Sequence, residues 1–100
     1  MRVKNLMHVT NEGCPCGSWL QHWDTFSRQK ANFCMVLGCD GKPEVGGQVE
    51  KVGEAEKVYI VPLCKVCAAK TGQVLDIVNN VNLVSANTLE TCAKQRASGY

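Results

Sequence analysis

Large apolar side chains are scarce in this sequence, whose 100 residues include only two Phe, two Tyr and two Trp. The hydrophobic share of 45% includes seven cysteines and many small residues, so it overstates the area that a core could bury. A chain of this length forms one small domain and has no room for a second independent core. A core with so little buried apolar area needs additional stabilisation, either by a set of disulfides or by a bound metal.

Long apolar runs are also missing. No stretch approaches the roughly 20 apolar residues of a membrane-spanning helix, and Met1 to His8 contain no run long enough for a signal peptide. We therefore expect a cytoplasmic protein that does not enter a membrane, in a reducing compartment where clustered cysteines favour metal binding. The odd cysteine count agrees, because a disulfide framework would leave one thiol unpaired. Disulfides and iron–sulfur or redox chemistry stay as alternatives to zinc.

Charge of one sign is nowhere concentrated. The 11 basic residues are interleaved with 9 acidic ones and leave a net charge of +2. A protein that binds nucleic acid by electrostatics alone usually carries a concentrated Lys/Arg stripe. The charge by itself therefore does not indicate a nucleic acid partner.

An amphipathic pattern in the first third of the chain predicts a helix. Ser18 is a suitable N-cap, and the helix is expected to run to about Arg28. Trp19, Trp23 and Phe26 lie at positions i, i+4 and i+7, which places them on one face of that helix. Aromatic residues dominate small cores, so this face is expected to pack inward.

The middle of the chain predicts a β-hairpin over residues 44–61, whose valine-rich arms are separated by a polar turn at 53–57. Pro62 is expected to end the second arm, and a short helix is expected over residues 63–70, stopping near Gly72. The segment 74–86 favours strand character, although a helix over 73–79 is the alternative.

The chain as a whole is expected to form a single zinc-binding domain over residues 1–100. Residues 1–12 are expected to be a polar, flexible lead-in, with a short strand around Val3 to Val9. Residues 94–100 lack apolar periodicity and are expected to fray.

Four of the cysteines form two close pairs. Cys34 and Cys39 have four residues between them, Cys64 and Cys67 have two, and 24 residues separate the pairs. Zinc binds four ligands at tetrahedral corners, and two cysteines on one tight turn can supply two of those corners. Gly38 allows the positive φ that such a turn often needs. The pairs therefore predict one structural zinc ion. Two disulfides, or a redox Cys-x-x-Cys at 64–67, are the alternatives.

The order of these parts, a cysteine turn, a hairpin and then a cysteine pair at a helix N-terminus, is that of a treble-clef finger. Residues 34–70 resemble the zinc-binding ββα-metal core of HNH-type nucleases. The most similar stretch runs from Val61 to Thr71, which reads V-P-L-C-K-V-C-A-A-K-T against the "P-L-C-x-x-C-H-x-x-K-T" of that family. The resemblance implies an α+β fold, a small zinc-stabilised treble-clef-like finger with an additional N-terminal helix.

The sequence departs from that family at its catalytic positions. The resemblance implies a histidine on the first hairpin strand as general base, but the corresponding strand contains Gly46, Gly47 and Gln48. Ala68 stands where the family motif has the histidine after its last cysteine. A neutral amide such as that of Gln48 is a poor base and a weak ligand for a hard metal. We therefore expect a scaffold without catalytic residues.

The three other cysteines suggest a second zinc site. Cys14 and Cys16 lie on a tight turn just before the predicted helix, and His22 lies one turn into that helix. With Cys92 they would form a Cys₃His site, a known structural type. The alternative is that Cys92 is a lone buried thiol and His22 a surface residue. One zinc ion is therefore expected, and two are possible.

The sequence predicts a non-enzymatic zinc module that binds another macromolecule, either protein or nucleic acid. If the partner is DNA or RNA, contacts are expected along the hairpin and helix, at Lys42, Lys51, Lys57, Lys65 and Lys70. Neighbouring glutamates dilute this charge, so an ordinary solvated surface is the other interpretation. The alternatives are an HNH-like metal-dependent nuclease with an atypical active site, and a redox sensor that releases zinc when its thiolates oxidise.

Overall fold

The computed structural model describes residues 1–6, 18–54 and 57–87. The elements in these ranges are β1 (Arg2–Asn5), α1 (Trp19–Ser27), β2 (Val45–Lys51), β3 (Tyr59–Leu63), α2 (Lys65–Ala68), β4 (Val74–Asp76) and β5 (Val84–Ser85). The strands form an antiparallel sheet in the order β4-β1-β2-β3-β5. No helix in these ranges is long and apolar enough to cross a membrane.

Helix α1 begins after Ser18, whose side chain accepts a hydrogen bond from the backbone N–H of Gln21 at 3.1 Å. This is the N-cap that the sequence indicates, and it satisfies one of the free N–H groups of the first turn. Trp23 is fully buried, Trp19 is 7% exposed, and Phe26 packs against the core. The aromatic face of α1 therefore packs inward, as its spacing predicts.

Gly46 lets α1 lie directly on strand β2. A Cβ atom at Gly46 would overlap the backbone of Trp19 and Leu20. Two backbones can approach this closely only where one of them carries no side chain. The glycine that weakens β2 as a strand is therefore required by its packing against the helix.

The hairpin β2–β3 is longer than the sequence predicts, because Pro62 lies within β3 and does not end it. Pro62 stands opposite Gly46, and its carbonyl accepts from Met35 N–H on the side of β3 that faces away from β2. The N–H and C=O groups of one strand residue point to the same side, so the missing N–H of Pro62 would also have pointed away from β2. No hairpin hydrogen bond is lost, and the ladder continues to Leu63, whose carbonyl accepts from Glu44.

The beginning of the chain contains the expected short strand, β1, over residues 2–5. It is an inner strand that pairs with both β2 and β4, so these residues are more than a polar lead-in. Val3 and Asn5 are buried while Arg2 and Lys4 are exposed, and this alternation is the pattern of a strand with one face inward. The remainder of the predicted strand around Val3 to Val9, from residue 7 onward, lies outside the described residues.

The last elements resolve the mixed segment in favour of strands. β4 occupies residues 74–76, Ile77 forms an isolated bridge with Val36, and β5 occupies residues 84–85. The predicted helix at 63–70 is reduced to the four residues of α2, and the following turn contains Gly72 at φ 79°. The predicted frayed end, 94–100, lies outside the described residues.

Candidate metal centre

The structure brings Cys34, Cys39, Cys64 and Cys67 together, with all four Sγ atoms within 4.8 Å of one another. The Sγ of Cys39 lies 3.9 Å from that of Cys64 and 3.9 Å from that of Cys67. Four sulfurs bound at about 2.3 Å to a central zinc lie about 3.8 Å from one another in a regular tetrahedron. The sulfur spacing therefore fits a tetrahedral ion of the size of zinc.

The first cysteine pair lies on the loop between α1 and β2. Within this loop the backbone N–H of Cys39 donates to the carbonyl of Val36 at 3.0 Å, which closes a tight turn. Gly38 has φ 79°, the positive value that the sequence predicts for it. The N–H of Cys34 donates to the carbonyl of Gly41 at 2.9 Å. These bonds curl the loop so that both side chains of the pair face α2.

The second pair lies at the N-terminus of α2. Cys64 is the N-cap, and its Sγ accepts from the backbone N–H of Cys67 at 3.4 Å. The carbonyl of Cys64 accepts from Ala68 N–H, which forms the first helical turn. A helix N-terminus carries partial positive charge and free N–H groups, so it stabilises thiolates.

The environment of the four thiols divides them into two kinds. Cys34 is fully buried and Cys67 is 4% exposed, whereas Cys39 and Cys64 are half-buried. Burial raises the pKa of Cys34 and of Cys67 above the ordinary thiol value. The hydrogen bond from Cys67 N–H lowers the pKa of Cys64 to about 7. Cys64 therefore ionises more readily than an ordinary thiol, and a cation bound among the sulfurs would displace the protons of Cys34 and Cys67.

Asn5 connects the sheet to this centre, and the sequence did not indicate it. Its side-chain amide, on strand β1, donates to the carbonyls of Cys67 at 3.2 Å and Ala68 at 3.1 Å. Its own backbone pairs with Gly72 and Gln73 in the loop that follows α2. Asn5 is 1% exposed, so it is a buried polar residue whose amide nitrogen is paired at the end of the ligand helix. The sequence shows only that Asn5 stands two residues after Val3, which places it on the same face of the strand.

Of the four residues expected at a second site, the structure describes only His22. Cys14, Cys16 and Cys92 lie outside the described residues. His22 is fully buried, and it is not the surface residue of the alternative interpretation. Its Nε2 lies 2.9 Å from the carbonyl oxygen of Ser85 on β5, and its ring contacts those of Trp19 and Phe26. The Nε2 of His22 is therefore engaged with β5.

The hairpin positions that correspond to the nuclease general base have packing roles. A Cβ atom at Gly47 would overlap the side chain of Leu63, just as one at Gly46 would overlap α1. Gln48 is 7% exposed. A histidine has no room at either glycine without moving β3 or α1.

Two lysines lie near glutamates, and one of them, Lys65, is next to Cys64 in sequence. Lys65 Nζ lies 3.7 Å from a carboxylate oxygen of Glu44, and Lys51 Nζ lies 3.7 Å from one of Glu54.

Apolar side chains are exposed next to the cysteines: Val66 is 70% exposed between Cys64 and Cys67, and Leu37 is 56% exposed within the first cysteine turn.

Comparisons of this chain with protein-family models, with curated proteins and with solved structures find no match. The similarity to HNH-type cores therefore rests on the cysteine spacing and the residues around it, and the site must be interpreted from its geometry.

Proposed function

We propose that this protein is a non-catalytic module built around a structural zinc ion, bound by Cys34, Cys39, Cys64 and Cys67. The observation that carries the proposal is the clustering of four Sγ atoms within 4.8 Å, contributed by two segments 24 residues apart. Four cysteines at tetrahedral spacing with no open position form a closed site, which is typical of structural zinc. The turn and the helix that supply the ligands are separated by the hairpin, which is the treble-clef order.

The role of the ion is to join the loop 34–41 to helix α2, two parts of the chain that have little regular structure of their own. Helix α2 has only four residues, far too few to be stable alone, and the loop 34–41 has no regular structure. Structural zinc contributes on the order of 10 kcal/mol or more to folding, since the site does not exist in the unfolded chain. The ion would therefore supply the staple that the thin apolar core requires.

The chemistry of the donor set distinguishes zinc from the alternatives. Sulfurs 3.9 Å apart are not bonded to each other, whereas a disulfide joins them at about 2.05 Å. A tetrahedral set of four thiolates suits zinc or a single iron ion. Elemental analysis of protein purified without added metal distinguishes these, and we expect zinc to be the metal found.

We further propose that the module binds a partner protein through the surface around its cysteines. Val66 and Leu37 are exposed apolar residues, one between the cysteines of each pair, and exposed apolar surface is where partner proteins bind. Phe33, next to Cys34, is 45% exposed and extends the apolar character of this region. A nucleic acid partner is less favoured, because Lys65 and Lys51 each lie near a glutamate.

Two measurements test this function. Elemental analysis is expected to give at least one zinc per chain, and a value near two would support the second site with Cys14, Cys16, His22 and Cys92. Titration with double-stranded DNA and with RNA at two salt concentrations tests the partner class. We expect no salt-dependent binding, and an affinity that falls steeply with salt would instead support a nucleic acid partner.

A further inference from the structure

Gly41 lies against three of the four cysteines. A Cβ atom at this position would lie 3.0 Å from the Cβ of Cys64, and 3.3 Å from the Sγ atoms of both Cys39 and Cys64. The carbonyl of Gly41 also accepts the N–H of Cys34 at 2.9 Å. Gly41, which is not a ligand, therefore packs against the sulfurs of Cys39 and Cys64. It is also hydrogen-bonded to the backbone of a third ligand, Cys34.

The glycine is required here by space and not by backbone conformation. Gly38, Gly53 and Gly72 have positive φ values and open surroundings, so a glycine there serves a turn. At Gly41 an added methyl group would make contacts tighter than almost all real ones, so the cysteines would have to move by a few tenths of an ångström. Two of the neighbours are sulfur atoms whose separation sets the size of the ion that fits.

We propose that Gly41 is the residue that fixes the Cys39–Cys64 edge of the metal centre and thereby sets its preference for an ion of the size of zinc. This inference rests on the proposed metal site. The Cys39–Cys64 edge measures 3.9 Å, close to the value of about 3.8 Å for zinc bound by four sulfurs. A larger soft ion such as Cd²⁺ needs longer bonds to sulfur and therefore a longer edge.

The substitution Gly41→Ala is expected to change both affinity and selectivity. The added methyl group is expected to displace Cys64 or Cys39 by a few tenths of an ångström, which distorts the set of sulfurs that closes around zinc. Changes beside a metal's ligands typically reduce affinity by about 10- to 100-fold, and we expect a loss of that size for Zn²⁺. Because the displaced sulfurs enclose a wider space, the affinity for Cd²⁺ is expected to fall less, so the ratio of Cd²⁺ to Zn²⁺ affinity rises.

The test is a competition titration of Zn²⁺ and Cd²⁺ against a chromophoric chelator, for the wild type, Gly41→Ala and Gly53→Ala. Gly53 has φ 94° and nothing within 4 Å of its added Cβ, so its alanine variant is strained in the backbone but remote from any sulfur. Gly53→Ala is expected to keep the wild-type selectivity. The visible spectrum of the Co²⁺-substituted proteins gives a second readout, since tetrahedral distortion changes its bands in Gly41→Ala alone.

The outcomes separate this inference from the proposed function. A wild type that binds neither metal overturns both. A wild type that binds zinc, with unchanged selectivity in Gly41→Ala, overturns the role of Gly41 and leaves the zinc site standing. If Gly41→Ala does not fold with Zn²⁺, refolding of this variant with Cd²⁺ decides between the outcomes. Recovery with Cd²⁺ supports the inference, and failure with both ions contradicts it.

Discussion

The side-chain amide of Asn5 donates to the main-chain carbonyl of Cys67 at 3.2 Å, across 62 residues of sequence. The same amide donates to the carbonyl of Ala68 at 3.1 Å. Carbonyls at the end of a helix have no partner within it, and here a buried side chain from β1 supplies one. The position of the second cysteine pair therefore depends on a strand that the sequence places at the other end of the chain.

Removal of this contact is expected to weaken both the fold and the metal centre. Asn5→Ala removes the side-chain donor from both carbonyls, of which that of Cys67 still accepts from the N–H of Lys70 at 3.1 Å, and a buried group left unsatisfied costs about 1–3 kcal/mol. Thermal unfolding of the metal-loaded protein measures the stability, and chelator competition measures the zinc affinity, which we expect to fall at least about tenfold. The matched control is Asn32→Ala, at an exposed position, which should change neither quantity. Equal behaviour of the two variants would contradict this role of Asn5.

Replacing Gly46 of β2 tests whether a side chain fits at a hairpin position where the nuclease alternative requires one. Gly46→Ala is expected to cost about 3 kcal/mol or more of unfolding free energy, because its methyl group meets backbone atoms of α1 that cannot rotate away. Gly53→Ala, at the open hairpin turn, should cost only about 1 kcal/mol through its positive φ. Chemical denaturation of both variants checks the difference. If Gly46→Ala is as stable as wild type, the packing account of this strand is wrong.

His22 is expected to contribute to stability through the carbonyl of Ser85. His22→Phe keeps the ring contacts with Trp19 and Phe26 but removes the polar partner, for a loss of about 1–3 kcal/mol. Thermal unfolding checks this loss, and no change in stability would contradict it. The zinc content of the same variant tests the second site separately, since a His22 ligand predicts one zinc fewer than in wild type.

Zinc binding is expected to release protons and to weaken at low pH. Burial raises the pKa values of Cys34 and Cys67, so both thiols are protonated in the metal-free protein at pH 7 and must each lose a proton to bind zinc. Cys64, with a pKa of about 7, is already partly ionised and releases less. As pH falls, protons compete for these sulfurs and the affinity decreases. Calorimetry in buffers of different ionisation enthalpy counts the protons, and binding without proton release would refute this.

The local features of the fold follow from the sequence. The N-cap at Ser18, the aromatic face of α1 and the hairpin each depend on neighbours a few residues apart, so their patterns are visible in the chain. The pairing of Cys34 and Cys39 with Cys64 and Cys67 is predictable for a similar reason, because metal-ligand spacing is a local constraint.

The errors concern positions whose structure is decided by distant contacts. Pro62 continues a strand because its nitrogen faces away from β2, and the proline alone does not show which way it faces. A short strand is predicted near Val3, but the mixed polar composition of residues 2–5 does not show that it lies inside the sheet, between β2 and β4. The roles of Asn5 and Gly41 likewise depend on which segments the fold brings beside them.

The central claim is that the four clustered cysteines hold one zinc ion, and the most direct test is the zinc-to-protein ratio of two proteins measured side by side. Cys64→Ser/Cys67→Ser removes half of the ligand set while leaving the other cysteines of the chain unchanged. The account predicts that this variant contains one zinc fewer per chain than wild type. A wild type without zinc, or a variant with the wild-type ratio, would contradict the account.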